Sequence, residues 1–258
     1  EDGREMRHQL ARAGIGAELV VTDETRPTTV KTRLMGRAQH RHPHQVLRID
    51  RESRDPLPGR IATELIDALT SVISSEGSRH RIDAVLVSDY AKGVCTPDLL
   101  SAVISAGRGA GIPVIVDPAS GADYSQYRGA TAITPNRTET SRATGRRIAT
   151  IADGLSAAVQ LQSELDLDTA FVTLDSDGIV LSESGSSAVH VPTRRREVYD
   201  ITGAGDMVLA TIGLSAAAGC DPVTMARLAN TAGGLEVEQI GVVTVSRGEM
   251  IADLLGGV

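Results

Sequence analysis

The chain has 258 residues, of which 41% are hydrophobic and 23% are charged, and it carries a formal net charge of −7. This length is ample for a sizeable core in one large α/β domain or two small ones, whereas the acidic balance argues against a nucleic-acid partner, because sequence-independent binding needs Lys and Arg to neutralise phosphates. No stretch is apolar enough to span a bilayer and no secretory signal opens the chain, so we expect a cytoplasmic protein with no membrane partner.

The first predicted elements are a helix over about residues 5–13 and a strand over residues 17–22. They follow directly on Glu1 rather than on an initiator Met. We therefore expect that an N-terminal part of the natural domain is absent from this sequence.

A β-hairpin is predicted next, over residues 26–52. Residues 28–35 and 45–50 alternate apolar with polar side chains and are rich in β-branched residues, and a polar turn lies between them. Such alternation is typical of paired strands with one solvated face.

Two groups of residues could suggest a metal site, and neither is favoured. His40, His42 and His44 fall at alternate positions, but a Pro interrupts the run and no Cys or carboxylate completes a ligand set, so an exposed loop is the preferred interpretation. Cys95 and Cys220 are far apart in the sequence and lack metal-ligand spacing. We interpret them as reduced packing thiols.

Helices and strands alternate from residue 60 onward, which predicts crossover units and a mostly parallel sheet flanked by helices in three layers. Aromatic content is only 2%, with one Phe and no Trp, and a core of small aliphatic side chains suits this α/β arrangement. A single domain over residues 1–258 with the hairpin as an appendage is the simplest organisation. The predicted helices cover residues 61–74, 97–110, 151–165, 204–218 and 222–236, and the predicted strands cover residues 84–87, 113–116, 131–133, 170–173, 178–181 and 188–191.

Polar residues follow four consecutive predicted strands. Ligands of open α/β sheets bind just beyond the carboxyl ends of the strands, so these residues predict a polar site at one edge. Each of them alone is an ordinary turn or helix-cap residue, and only the set as a whole favours a site. The residues are Ser88-Asp89-Tyr90, Asp117-Pro118, Thr134-Pro135-Asn136 with Glu139 one turn later, and Asp175 with Gly178.

The sharpest signal is the run Asp200-Ile201-Thr202-Gly203-Ala204-Gly205-Asp206, which leads into an apolar helix. Gly203 and Gly205 let the backbone approach a ligand closely, and the free N–H groups of a first helical turn attract an anion. Asp206 lies in the same turn, where it could accept a proton from a hydroxyl attacking a phosphate. The alternative is a glycine-rich turn with Asp206 as a helix-start charge. No P-loop motif and no dinucleotide fingerprint is present.

These residues resemble the ribokinase-like (PfkB) family of carbohydrate kinases. The family's Asp-Thr-x-Gly-Ala-Gly-Asp signature matches Asp200 to Asp206, with Ile201 in place of Thr and with Thr202 keeping a hydroxyl one position along. The resemblance implies that Asp206 is the catalytic base and that Gly203, Ala204 and Gly205 line the anion hole. It also implies ATP and Mg²⁺ as cofactors, and it leaves open whether a monovalent cation is needed.

The same resemblance assigns the other nucleotide contacts. Asn136 and Glu139 match the family's Asn-x-x-Glu motif, which organises Mg²⁺ and the phosphates, with Glu139 reaching the metal through water. Thr173 to Gly178 resembles the family's nucleotide turn, except that Asp175 replaces a Gly. Asn230 lies on the segment that resembles the helix bordering the adenine pocket.

Within the family, the chain is most similar to the kinases of D-glycero-D-manno-heptose 7-phosphate, on residues 26–33, 46–50, 88–93 and 127–131. Such an enzyme phosphorylates the anomeric hydroxyl to give a 1,7-bisphosphate. A phosphorylated sugar needs cations, and the expected substrate contacts are Lys31, Arg33, Ser88, Asp89 and Lys92, although the cations are equally well read as solvated surface charge.

Three departures from the family are evident in the sequence. Many heptose kinases have Lys after Asp117-Pro118, and this chain has Ala119. The family's early Gly-Asp sugar contact and Gly-Gly signature are expected before Glu1. No nucleotidyltransferase domain follows Val258, so a fused second activity is not expected.

The sequence thus predicts an ATP-dependent sugar-phosphate kinase. The alternatives are a kinase for another sugar, such as fructose phosphate, ribose or a nucleoside, a nucleotide-binding regulator that has lost turnover, and a structural protein that acts through its hairpin. Lids of this family often pair between subunits, and an isolated hairpin is marginal in water, so a homodimer through the lid is predicted as well.

Overall fold

The computed structural model describes residues 2–36, 44–75 and 81–256. The chain divides into two compact units, one formed by Glu1–Leu69 with Lys92–Thr96 and the other by Thr70–Ala91 with Pro97–Val258. The predicted organisation as a single domain is not tested by this division and stays a prediction.

The secondary structure follows the predicted alternation closely. Two short 3-10 turns, Tyr124–Tyr127 and Asp175–Asp177, supplement the main elements. None of the helices in the described ranges is long and apolar enough to cross a membrane. The helices are α1 (Asp2–Arg12), α2 (Gly59–Ile73), α3 (Pro97–Ala110), α4 (Arg137–Thr144), α5 (Ile151–Glu164), α6 (Ala204–Ala217), α7 (Pro222–Val237) and α8 (Arg247–Leu255). The strands are β1 (Val30–Gly36), β2 (His44–Arg51), β3 (Val85–Ser88), β4 (Val114–Asp117), β5 (Ala132–Ile133), β6 (Thr169–Thr173), β7 (Ile179–Glu183) and β8 (Val189–Val191).

In the first unit, the predicted strand over residues 17–22 is wrong. The segment follows α1 as irregular chain with a turn in which the Val20 N–H donates to the Ala17 carbonyl at 3.2 Å. The Arg7 guanidinium of α1 donates to the carbonyls of Ala17 and Val20 and to the Thr22 hydroxyl. These acceptors are therefore satisfied by a side chain rather than by the N–H groups of a neighbouring strand.

The hairpin of β1 and β2 is present as predicted, with an antiparallel register and a bulge at Leu34/Met35. One face carries the opposed pairs Thr32–Ile49 and Leu34–Leu47, and Leu34, Leu47 and Ile49 are each about half exposed. The predicted polar turn with His40 and His42 falls on residues 37–43, which lie outside the described residues, as does the side chain of His44. The apolar face of the hairpin is therefore available for contacts beyond those within the unit.

In the second unit, six strands form one sheet in the order β3-β4-β5-β6-β7-β8. The strands β3 to β6 are parallel, whereas β7 and β8 pair antiparallel. The prediction of a mostly parallel sheet therefore applies to the first four strands, and the sheet as a whole is mixed. The reason lies in the connection between β6 and β7, because the 3-10 turn Asp175–Asp177 is far too short for the crossover that parallel strands need.

The core of this unit lies between the sheet and helices α6 and α7. Six buried side chains of the sheet, among them Phe171 and Ile179, form one cluster with Val208, Leu209 and Ile212 of α6 and with alanines of α7. Side chains of a strand alternate between faces, and Val180 points away from this cluster toward Gly154 of α5. Helices thus cover both faces of the sheet, as a three-layer fold requires.

Two helices, α4 and α8, were not predicted. α4 consists almost wholly of polar residues, RTETSRAT, whereas α8 is short and carries apolar residues at helical spacing in the sequence RGEMIADLL. Both begin with a reciprocal capping box, Asn136 with Glu139 and Ser246 with Glu249. Those two sequence patterns are the signal that could have located both helix starts.

Candidate active site

The polar residues expected at the carboxyl edge of the parallel strands lie there in the second unit. Ser88 ends β3 and Asp117 ends β4, and the two residues face each other in the strand register. The Thr134 hydroxyl, just after β5, donates to Asp117 Oδ1 at 3.1 Å. Three neighbouring strands therefore deliver a hydroxyl or a carboxylate to one edge.

The helix α6 begins at this edge without a side-chain cap. Its N-cap is Gly203, which has φ of +106°, and among the described residues no side chain accepts a hydrogen bond from the first turn. A Cβ at position 203 would lie 2.8 Å from Glu236 Oε1 and 3.3 Å from Val242 Cγ1. Glycine is therefore needed here both for its backbone conformation and for the space it leaves.

Asp206 lies in the first turn of α6 and is exposed. The Tyr90 hydroxyl donates to both of its carboxylate oxygens, at 2.7 and 2.8 Å, and the Ser88 hydroxyl lies 3.3 Å from Oδ1. Asp117 adjoins this turn, because its Oδ2 would lie 3.6 Å, an ordinary contact distance, from a Cβ at position 205. The expected base is thus held by side chains from the end of β3 and lies beside a second carboxyl group.

The second carboxyl group, Asp117, is largely withdrawn from solvent. Burial, and next the nearby Glu139 carboxylate, raise the pKa of Asp117 to about 7, with smaller contributions in the same direction from Asp206 and Asp89. The hydrogen bond from Thr134 opposes the shift. At neutral pH this edge can therefore hold a carboxylic acid and a carboxylate side by side, since a proton on Asp117 relieves the repulsion between acidic groups.

A third acidic group, Glu236 of α7, lies behind the start of α6. It is 1% exposed, and neither of its carboxyl oxygens has a hydrogen-bond partner in the described part of the chain. Burial, followed by repulsion from Asp200 and Asp206, raises the pKa of Glu236 to about 7. Asp200 is itself held in place, because its carboxylate accepts from the backbone N–H groups of Thr202 at 3.0 Å and Gly241 at 3.1 Å.

The expected substrate contact Asp89 is engaged within the protein. Its Oδ1 accepts from the N–H of Ala91 at 2.8 Å and its Oδ2 accepts from the hydroxyl of Tyr127 at 2.7 Å. Tyr127 is fully buried, and its hydroxyl oxygen accepts from the N–H of Ala119. Asp89 therefore fixes the turn after β3, whereas Ser88 and Tyr90 on either side of it face Asp206.

Asn136 and Glu139 form the capping box of α4. Asn136 Oδ1 accepts from the N–H groups of Thr138 and Glu139 at 2.9 and 3.0 Å, and Glu139 accepts from the Asn136 N–H at 2.9 Å. Burial raises the pKa of Glu139, and hydrogen bonds from Asn136 counteract it. A parallel bridge joins Asn136 to Thr173 at the end of β6, so the predicted nucleotide residues of β5 and β6 adjoin each other.

The expected nucleotide turn after β6 contains two residues of positive φ, Asp175 and Gly178. Asp175, which stands where the resemblance expects Gly, has φ of +54°, a left-handed conformation that Asp tolerates better than most residues. Its carboxylate forms an ion pair with Arg137 Nε at 2.8 Å. Gly178 has φ of +90° and passes against the backbone at Val191. The Asn230 amide of α7 donates to the Val191 carbonyl at 2.9 Å, which ties the helix to the same strand end.

The family model described as "pfkB family carbohydrate kinase" matches residues 1–247 of the chain. The chain belongs to the pfkB family of carbohydrate kinases. Its class is that of an ATP-dependent kinase that transfers phosphate to a sugar hydroxyl, as the sequence predicted.

Two curated proteins are similar to this pfkB chain over nearly its whole length. It is 42% identical over 254 residues to the Bifunctional protein HldE of Geotalea uraniireducens, an alignment that covers 98% of this chain and 49% of that protein. It is 41% identical over 254 residues to the protein of the same name from Geobacter sulfurreducens, again over 98% of this chain and 49% of the relative. The chain thus spans about half the length of the curated relatives it matches.

Solved structures of pfkB-type kinases share the fold. Phosphofructokinase-2 from Escherichia coli in complex with potassium gives a TM-score of 0.66 at 19% identity, over 81% of this chain and 65% of that one. Ribokinase from Arabidopsis thaliana complexed with ribose and ATP gives a TM-score of 0.65 at 20% identity, over 87% and 68% of the two chains. The ribokinase-like fold expected from the sequence is therefore confirmed.

The cations expected to bind a sugar phosphate in this pfkB chain lie in the other unit. Lys31 and Arg33 are on β1, opposite Asp50 and Arg48 in the hairpin register. Lys92 forms an ion pair with Glu52, with 2.5 Å between Nζ and Oε1, and both side chains are largely buried. The charge of Lys92 is thus balanced within its unit, and the role of all three cations in binding stays a prediction.

Three residues of the candidate site were missed as individual candidates: Tyr90, Asp117 and Glu236. Tyr90 and Asp117 were named among the polar residues that follow the predicted strands, and only their distance to Asp206 distinguishes them from ordinary turn residues. Glu236 had a weaker signal. It is a lone acidic residue in the run Ala-Gly-Gly-Leu-Glu-Val of a buried helix, and a charge inside such a run is rare unless it has a partner or a function.

Proposed function

We propose that this chain transfers a phosphoryl group from ATP to the anomeric hydroxyl of D-glycero-D-manno-heptose 7-phosphate, with Asp206 as the general base. The observation that carries the proposal is the start of α6. An uncapped helix N-terminus, which begins with Gly203, adjoins a carboxylate at the carboxyl edge of the parallel strands. This combination serves phosphoryl transfer, which needs charge stabilisation and a positioned base.

The residues at this edge fit the phosphates of a nucleotide. The first turn of α6 offers backbone N–H groups and the positive end of a helix dipole. Gly203 lets this turn pack against α7, since a Cβ would lie 2.8 Å from Glu236 Oε1, and it brings no side chain to the helix start. Gly203, Ala204 and Gly205 would hold the transferring group. The adenine end would lie toward Thr173, Asp175, Gly178 and Asn230, with the Thr202 hydroxyl near the phosphates.

Mg²⁺ fits this site only in company with phosphate oxygens. The described residues contain no group of three His, Cys, Asp or Glu side chains that could hold a metal ion by themselves. Mg²⁺ bound to a nucleotide usually takes one or two carboxylates and keeps several waters. Glu139, through water, and Asp117 are the carboxyl groups at the correct edge. The role of a monovalent cation is tested by comparing activity with and without KCl.

In this proposal, different residues of the chain accept the proton, stabilise the transferring charge and position the base. ATP supplies the phosphoryl group and the charge that must be stabilised. Asp206 would accept the proton of the sugar hydroxyl as that oxygen forms its bond to the γ-phosphorus, while the bond between this phosphorus and the β–γ bridging oxygen breaks and ADP leaves. The amides at Gly203 to Asp206 stabilise the negative charge on the phosphoryl oxygens, and Ser88 and Tyr90 hold the base in position.

The heptose is favoured over other sugars on two grounds. Residues 26–33 and 88–93 resemble the corresponding segments of heptose 7-phosphate kinases, and two curated relatives that are 42% and 41% identical to the chain are proteins named HldE. Lys31, Arg33 and Lys92 would provide cations for the 7-phosphate. The activity, substrate and partners of the whole protein are part of this proposal.

The test is phosphorylation of that sugar by the purified chain with Mg²⁺ and ATP, followed by ³¹P NMR with and without added KCl. We expect a second phosphate signal that couples to the anomeric proton. The matched panel contains fructose 6-phosphate, ribose and a nucleoside. If the chain phosphorylates only a compound of this panel, it is a kinase for another sugar and the heptose assignment is rejected. Nucleotide binding without any turnover would favour a regulator.

We further propose that two copies of the chain pair through the hairpin. Support comes from the half-exposed side chains of Leu34, Leu47 and Ile49 on one face of an isolated two-stranded sheet, because such a sheet is marginal without further contacts. Light scattering coupled to size exclusion tests this against the variant Leu47→Lys. A monomer at all concentrations of the unmodified protein would contradict it. The cytoplasmic location stays a prediction.

A further inference from the structure

The hydroxyl of Tyr90 makes the shortest contacts of the proposed base. It lies 2.7 Å from Asp206 Oδ1 and 2.8 Å from Oδ2, so a single O–H is shared between both oxygens of the carboxylate. Burial and the Asp206 carboxylate raise the pKa of Tyr90 to about 12. The phenol is therefore a hydrogen-bond donor throughout the neutral pH range and cannot itself take the proton of a substrate.

The turn that carries Tyr90 is fixed by buried groups. Ala91, the next residue, has φ of +51°, which is strained for a residue with a Cβ. The Asp89 carboxylate holds it there by accepting the Ala91 N–H, and the fully buried Tyr127 holds Asp89 in turn. Backbone strain persists only where surrounding structure imposes it. The position of the Tyr90 ring is thus imposed by Asp89 and Tyr127, neither of which contacts Asp206 by a described hydrogen bond.

We propose that Tyr90 is a positioning residue for Asp206. Its hydroxyl orients the Asp206 carboxylate and gives up its hydrogen bond to one carboxylate oxygen when the sugar hydroxyl binds there. The proposal rests on the proposed function. With the phenol shared between both oxygens, the carboxylate plane is defined. When the acceptor hydroxyl donates to one oxygen, the phenol keeps its hydrogen bond to the other, and the base remains oriented for proton transfer.

A positioning role for Tyr90 and a role in sugar binding predict different kinetic effects of its removal. A positioning residue affects the chemical step, so its loss lowers kcat, whereas a residue that binds ground state and transition state alike affects KM. We expect Tyr90→Phe to lower kcat by about 10- to 100-fold, because small misplacements of a reacting group have effects of that order. The KM values for the sugar and for ATP should change by less than about twofold.

The matched control is Tyr199→Phe, which removes a hydroxyl whose hydrogen bond goes to Glu197 instead. This variant should keep the unmodified kcat, and thermal unfolding should show both variants folded, as expected for side chains that are each about half exposed. A Tyr90→Phe enzyme with unchanged kcat would overturn the proposal, and so would a raised KM for the sugar at constant kcat. Absence of turnover in the unmodified chain would instead reject the proposed function and, with it, this role.

A second measurement does not depend on turnover. The chain has four tyrosines, so 3-fluorotyrosine labelling gives four ¹⁹F NMR signals, and Tyr90→Phe assigns one of them. We expect Asp206→Asn to shift the Tyr90 signal most, and added D-glycero-D-manno-heptose 7-phosphate to shift it in the unmodified protein. A Tyr90 signal that stays in place in Asp206→Asn would contradict the contact on which the inference depends.

Discussion

The helices α4 and α6 both begin at the carboxyl edge of the same sheet, yet their first turns are satisfied in opposite ways. Asn136 and Glu139 cap α4 reciprocally, so that side chains of the protein occupy its leading N–H groups. Gly203 opens α6 without a side-chain cap among the described residues. A polar N-cap typically stabilises a helix by about 1 kcal/mol, and α6 forgoes that stabilisation.

The difference indicates which helix start is available to a ligand. A capped first turn has little left to offer an anion, whereas an uncapped one presents N–H groups and a dipole. A capping residue could not simply be introduced at position 203, because its Cβ would lie 2.8 Å from the Glu236 carboxyl group in a left-handed conformation. The bare start of α6 is therefore built into the packing of α6 against α7.

The largest effect is expected at the carboxylate that the uncapped helix carries. Asp206→Asn keeps the size of the side chain and leaves one oxygen for the Tyr90 hydroxyl, but it removes the base. Because a positioned base typically contributes 10²- to 10⁴-fold, we expect kcat to fall by about 10³-fold while the Kd for ATP changes little. Steady-state kinetics and calorimetric titration with ATP measure the two quantities. A variant that keeps more than a tenth of its kcat would remove Asp206 from the role of base.

The next effect tests the uncapped start itself. Gly203→Ala places a methyl group against Glu236 and Val242 and forces the first turn to move. The loss of aligned donors should lower kcat by about 10²-fold.

The control for that change is Gly145→Ala at the end of α4, where φ is +66° and nothing lies within 4 Å of the added Cβ. It should lower the free energy of unfolding by about 1 kcal/mol, as strain from a left-handed alanine does, and leave kcat unchanged. Equal loss of kcat in both variants would mean that strain alone, and not the anion site, explains the effect at position 203.

The comparison also shows how far sequence reasoning could go. The glycine run before Asp206 and the residues after each parallel strand were identifiable, because glycine and polar residues at strand ends have local signatures. The fold was predictable for the same reason, since apolar runs alternate with amphipathic helices. α4 was missed because its stability comes from a capping box and tertiary contacts rather than from an apolar stripe.

The remaining parts of the site depend on long-range contacts. Tyr90 and Asp206 are 116 positions apart, and Glu236 meets Gly203 only because α7 packs beside α6. Residues 17–22 illustrate the reverse error, in which a plausible strand pattern is overridden because Arg7 takes its carbonyls. The sequence pattern therefore identified the polar residues at the carboxyl edge of the strands. It did not identify Tyr90, which orients Asp206, or the burial that raises the pKa values of Asp117 and Glu236.

A smaller effect is expected from the buried acid behind α6. Folding raises the pKa of Glu236 from its ordinary value of 4.5 to about 7, mainly through burial. Between those values the folded chain holds a proton that the unfolded chain has lost, so the stability from this group is complete below about pH 4.5 and is lost as the pH rises through 7. Glu236→Gln should therefore be more stable than the unmodified chain at pH 8, and this advantage should shrink at pH 5.

Denaturant unfolding at several pH values between 5 and 8 measures this dependence. Asp117→Asn is the matched variant, since the pKa of Asp117 is likewise raised to about 7, and it should remove a separate part of the same slope. A Glu236→Gln variant that follows the unmodified chain at every pH would show that the buried carboxyl group is neutralised by a bound cation or by solvent.

The smallest effect concerns the capped helix. Asn136→Ala removes the side chain that accepts from the first turn of α4, and it should lower the free energy of unfolding by about 1 kcal/mol. Asp221→Ala removes the equivalent cap of α7, at the end of that helix remote from Glu236, and should destabilise by a similar amount. If the amide of Asn136 also keeps Glu139 beside Asp117, the KM for Mg-ATP should rise about five- to tenfold in Asn136→Ala alone, equivalent to roughly 1 kcal/mol. Equal KM values in the two variants would mean that Asn136 acts only as a helix cap. The start of α4 would then stabilise the fold alone, whereas the start of α6 would bind the ligand.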